Sequence, residues 1–182
     1  MRIILFTLYV LLVLLTSCSD EERTFQSSTD LPPQIKTDKL TNIINQIAGN
    51  NTIEGKYIGI AGSPSGQSRR LEQLDSIATN VQLTSFTDHA NAVVRYYSFR
   101  ALVRRKSEDI FDILLNHITD TVEVNTLAGC IGLPSIVRSE MIKLVTTVYI
   151  ERDGYKLSNR QKKVIDSLVN RYPCNDPDII LR

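Results

Sequence analysis

The 182-residue chain sets 21 Lys and Arg against 20 Asp and Glu, for a formal net charge of +1, and 42% of it is hydrophobic. No global field favours nucleic acid or an anionic surface, and the apolar share is that of a globular domain. The length has room for one domain plus a targeting segment.

The N-terminus reads as an address. Arg2 is followed by an apolar run from Ile3 to Leu15, and then small residues precede Cys18. A positive start, a short apolar core and small residues before a cleavage point make a secretory signal. As a helix that run rises only about 20 Å, against a hydrocarbon core of about 30 Å, so a true membrane span is disfavoured. Leu15-Thr16-Ser17-Cys18 resembles a bacterial lipobox, which implies that residues 1–17 are a lipoprotein signal peptide and that Cys18 becomes the lipidated first residue. Ser19-Asp20-Glu21-Glu22 is similar to the acidic signal that sends lipoproteins of Bacteroidota to the outer face of the outer membrane. The resemblance implies a lipid-anchored protein of the cell envelope, on the periplasmic or the surface-exposed face. Residues 18–36 are polar, include Pro32-Pro33, and are expected as a flexible tether ahead of a domain over 37–182.

Beyond the tether the spacing predicts helices. Leu40, Ile43, Ile44 and Ile47 fall on one helix face, with Gly49 as the terminator. Asn50–Gly66 is expected as a loop with a short apolar piece from Tyr57. A helix from about Ser68 carries Leu71, Leu74, Ile77 and Ala78, and a short one follows over Asn80–Phe86 with Thr79 as its cap. The longest, about Asn91 to Lys106, is apolar on nearly every side and so is expected at the centre of the core. Ser107-Glu108-Asp109 reads as the cap of a helix through Ile110, Ile113 and Leu114. Asp120–Gly132 reads as a short helix or turn near Asn125–Cys130. Pro134 suits the first position of a helix running to about Tyr149, and Ser158–Gln161 is a capping box for a last one through Val164, Leu168 and Tyr172. No alternating strand pattern stands out, so the fold class expected is all-α, with about 6–7 helices.

Asp88, Val94, Arg95, Ala101 and Leu102 carry a family likeness. A short helix, an Asp-containing turn and then Val-Arg with a small-residue and Leu pattern resembles a HEAT-type repeat, although one extra residue separates Asp88 from Val94. Val137-Arg138 is a weaker echo. The resemblance implies a short α-solenoid-like stack of helical hairpins. Helical angle places Arg95 inside the apolar surface, where a guanidinium needs acceptors, and the resemblance suggests Asp88 or Asp120.

Sites for chemistry are few. Gly62-Ser63-Pro64-Ser65-Gly66 superficially resembles a phosphate-binding loop, but Gln67 stands where a Lys should and Pro64 removes a donor. His89 and His117 form no metal pattern, no cofactor motif is present, and no nucleophile–base set rises above chance. Arg100, Arg104, Arg105 and Lys106 read as a solvated helix end, with Glu108, Asp109 and Asp112 near enough to neutralise it, and no nucleic-acid partner is expected. With Cys18 lipidated, Cys130 and Cys174 are the remaining thiols, and a bridge between them is expected in an oxidising compartment. Asp75-Ser76-Ile77, Asp120-Thr121-Val122 and Asp166-Ser167-Leu168 each resemble the O-glycosylation motif of exported Bacteroidota proteins; only Thr121 falls in an expected loop.

Together these readings describe a membrane-anchored helical-repeat lipoprotein that binds a protein partner or supports an envelope assembly without catalysis. The competing reading is an envelope enzyme or small-ligand binder using the Gly62–Gly66 loop with His89 and Arg95.

Overall fold

A computed structural model describes residues 33–146 and 155–171 of the chain. Cys18, Ser19–Glu22 and Cys174 lie outside the described residues, as does Tyr172.

Helix α1 (Pro33–Asn50) turns Leu40, Ile43, Ile44 and Ile47 into the core, as their spacing dictates. It begins inside the stretch expected as tether. It stops where Asn51 adopts the left-handed conformation, φ 50°, and its N–H bonds back to Ile47 O at 3.1 Å. Strand β1 (Thr52–Ile58) and the two-residue β2 (Ser63–Pro64) follow, then α2 (Gly66–Ile77) and α3 (Asn80–Thr87). Thr79 closes a reciprocal capping box with Gln82 at the start of α3.

Helix α4 (Ala92–Arg105) is the centre of the molecule. Every residue from Ala92 to Phe99, and Ala101 to Val103, is buried, because α1, α2, α3, a short α5 (Ile110–Asn116), α6 (Val137–Thr146) and the sheet all pack on it. The Asp109 side chain makes no capping bond to α5. Strands β3 (Glu123–Gly129) and β4 (Ile131–Ile136) lead straight into α6, and α7 (Asn159–Arg171) opens at the Ser158–Gln161 capping box.

The expectation of an all-α solenoid is therefore wrong. Among the described residues, seven helices accompany a four-stranded mixed sheet of order β2-β1-β3-β4, with β1 and β3 parallel and both outer pairs antiparallel. A parallel pair needs a crossover, and here α2 to α5 supply it. The hairpin expected from the HEAT likeness, α3 and α4 joined at Asp88–Asn91, does form. It is not stacked on a second hairpin of its kind, because chain expected as loop or short helix (50–66 and 120–132) forms strands instead. Pro134 does not open a helix: it lies inside β4 opposite Asn125, and α6 begins three residues later.

Candidate docking surface and the polar clusters beside it

The turn before α4 is built around Asn91. Its Oδ1 accepts from the N–H groups of Val93 and Val94, and its Nδ2 donates to Asn51 Oδ1 at 2.9 Å. One turn on, Arg95 is 8% exposed. Its Nε donates to Asp120 Oδ2 at 2.9 Å and Nη2 to Asp120 Oδ1 at 3.1 Å, while Nη1 donates to the carbonyls of His89 and Ala90. Of the two acids considered for this role, Asp120 is the partner. Asp88 is exposed, and its Oδ1 stands 3.5 Å from His117 Nε2. Burial tends to raise the Asp120 carboxyl, but His117, the Val122 N–H and Arg95 together hold it below the ordinary carboxylate value.

A second arginine enters the same turn from the opposite helix. Arg138, fully buried at the start of α6, donates from Nη1 to Ile118 O at 2.7 Å, and its own N–H bonds to Asp120 O. Both Val-Arg pairs of the sequence, 94–95 and 137–138, thus deliver a buried guanidinium to residues 118–120. Val94, Ala101 and Leu102 are wholly apolar core of α4.

The Gly62–Gly66 loop serves a different cluster. At the start of α2, Ser65 Oγ accepts from Ser68 N–H at 2.8 Å, and the Glu54 carboxylate accepts from Gln67 N–H at 3.2 Å. A phosphate would need that position, the positive end of the helix, and an internal carboxylate already holds it. Gln67 is fully buried and donates to Ile47 O and Thr52 O, tying α1 to β1. The hydroxyl of Tyr97 accepts from Glu54 N–H at 2.9 Å, and burial pushes that phenol's pKa well above its usual value. His89 Nδ1 accepts from Asn91 N–H, which commits that ring to the turn. Among the described residues, no group of three or more His, Cys, Asp or Glu is placed to hold a metal ion. The polar groups that the ligand-site reading needed are engaged in holding the fold.

At the basic end of α4, Arg104 and Lys106 are exposed, as expected of a solvated helix end, but Arg105 is a brace. Arg105 donates to Asp75 Oδ1, to the backbone carbonyls of Asp75 and Ala78, and to Asn80 Oδ1, closing the α2–α3 corner. Arg104 reaches the same Asp75 at 3.7 Å. The neutralising acid is Asp75, and not the acids after α4 on which sequence reasoning settled.

Exposed large apolar side chains gather mainly on and beside the sheet, with Val81 on α3 and Val164 on α7 standing apart. Strand partners share a face, so Ile53 with Thr126, and Val124 with Ser135, define the side that is buried at the base of the sheet. Farther out that same side carries Leu133 opposite Thr126 and Ile131 opposite Ala128, with Leu133 58% and Ile131 65% exposed. At the free end Tyr57 is 51% and Ile60 98% exposed. Gly129, φ 57°, and Cys130 turn the β3–β4 hairpin, and Cys130 is exposed there with no disulfide among the described residues.

Both outer strands resist pairing with another strand. Val137 N–H bonds to Val122 O, which fixes the odd-numbered residues of β4 as those turned toward β3. Pro134 then faces the open edge and leaves it without its central donor; Pro64 occupies β2 in the same way.

The sequence matches no protein-family model and no curated protein. Among solved structures it is similar to a chain of the Snu23-Prp38-MFAP1(217-258) complex of Chaetomium thermophilum. The match has a TM-score of 0.55 at 11% identity and covers 76% of this chain and 73% of that one. At that identity the likeness is one of fold.

Proposed function

We propose that this protein is a membrane-anchored, non-catalytic interaction module of the bacterial cell envelope, held by a lipidated Cys18 and docking a protein partner on the outer half of its sheet. One observation carries the reading: the buried titratable groups are paired internally, while exposed aliphatic side chains collect where β3 and β4 leave the helical body. Contiguous apolar surface of that kind marks contact sites more often than catalysis. Ser19–Glu22 would direct the anchored chain outward, and a Cys130–Cys174 bridge would tie the C-terminal segment to the hairpin turn. Thr121, in the exposed turn before β3, is the one glycosylation triplet left in a loop.

The test is affinity isolation of the tagged chain from intact cells together with protease accessibility of the anchored protein. A protein that co-isolates with the native chain and with Val81→Asp, but is lost with Leu133→Asp, supports docking on the sheet. Equal recovery with all three refutes it. Release of the Cys18→Ala chain from the membrane fraction supports the anchor; retention contradicts it.

A further inference from the structure

We infer that the free end of the sheet, the paired tips of its two hairpins, seats on the surface of a lipid bilayer. The two tips are one structure: Gly59 N–H donates to Gly129 O at 2.8 Å, so the β1–β2 loop lies against the Gly129–Cys130 turn. Left-handed glycines at 59, 62 and 129 make these reversals tight and leave Tyr57, Ile60 and Ile131 pointing away from the body as exposed residues. Ile60, in the β1–β2 loop, is almost wholly exposed among the described residues.

Charge separates a bilayer from other occupants. The chain has 20 Asp and Glu, yet none falls between Gly55 and Arg70 or between Val124 and Ser139, the two segments that build and flank the tip. The exposed charges there, Lys56 and Arg69, are both cations. Lys56 Nζ stands 5.5 Å from the centre of the Tyr57 ring. Exposed aliphatic side chains, an exposed amphipathic aromatic ring and exposed cations in the two segments that build the tip suit the acyl, carbonyl and phosphate layers of a bilayer surface. Pairing with a partner strand is opposed by Pro64 and Pro134 at the two edges. Ile131 lies on the Leu133 side of the sheet, but the tip adds Tyr57 and Ile60 and takes a bilayer instead of a protein, so the inference goes beyond the docking reading and rests only on its lipid anchor.

The chain contains no Trp, which allows a single reporter. Full-length Ile60→Trp and, separately, Val81→Trp on α3 are reconstituted in phosphatidylethanolamine–phosphatidylglycerol vesicles that include phosphatidylcholine brominated on its acyl chains. Co-sedimentation reads the anchor, and Trp emission reads the tip. The expected result is a blue shift and bromolipid quenching at position 60, neither at position 81. Adding Ile131→Asp to Ile60→Trp should abolish the quenching while sedimentation and the thermal melt stay unchanged. Emission at 60 that remains water-like on sedimented vesicles overturns the inference. So does a blue shift without bromolipid quenching, which would mark burial against protein instead.

Discussion

Arg95 and Asp120 meet fork to fork, Nε to Oδ2 at 2.9 Å and Nη2 to Oδ1 at 3.1 Å, with both side chains 10% exposed. The contact joins the central helix to the turn that launches β3, so it fixes where the sheet leaves the helices. Arg95→Met leaves a buried carboxylate facing a methyl group, and removing one partner of such a pair typically costs about 3–5 kcal/mol. Urea unfolding should show that loss. Arg95→Met with Asp120→Leu should recover a large part of it. An unchanged midpoint for the single variant would show that the pair contributes nothing.

Acid should reveal the same carboxylate. Its folded pKa lies below the ordinary aspartate value, so the pair's contribution is fully present above that ordinary value. The contribution is lost as pH falls through the folded pKa, because protonating Asp120 removes the charge Arg95 needs. Unfolding free energy measured downward from pH 6 should fall more steeply below about pH 4 in the native chain than in Asp120→Asn.

Gln67 stands where a phosphate loop would carry Lys, and here its amide supports two backbone carbonyls. Gln67→Ala strands Ile47 O and Thr52 O in the interior, a loss of about 1–3 kcal/mol by denaturant titration. Gln67→Lys, which restores the motif on paper, should bind no nucleoside triphosphate by calorimetry, because Glu54 still occupies the helix N-terminus.

Arg104 and Arg105 share an acid yet should behave differently. Arg105 gathers three acceptors besides the Asp75 carboxylate and is the less exposed. Arg105→Ala should cost about 1–3 kcal/mol, and Arg104→Ala no more than about 1 kcal/mol. Thermal melts of the two variants compared side by side decide it.

Helices were legible because their signals are local. Thr79 with Gln82 and Ser158 with Gln161 announce capping boxes within four residues, and the unbroken apolar surface of 92–103 announces a helix enclosed by others. The sheet was hidden for equally physical reasons. Much of it is solvated on both faces, so Val124-x-Thr126-x-Ala128 and Ile131-x-Leu133-x-Ser135 alternate without strong apolar contrast. Gly129-Cys130 is a hairpin turn that reads as a helix end when the flanking strands go unrecognised. Pro134 points to a helix start only if edge strands are left out of account, since both places tolerate a missing N–H. Arg95 announced itself as an interior charge, but its partner lies 25 residues away and only the folded chain chooses between Asp88 and Asp120.

The most direct test of the docking account is photocrosslinking in intact cells with a benzophenone side chain at position 133, compared with one at position 81. The account predicts a discrete crosslinked protein at 133 that is absent at 81 and disappears when Thr126, its neighbour across the strands, is changed to Asp. The same pattern at both positions, or no protein crosslink at 133, would contradict it.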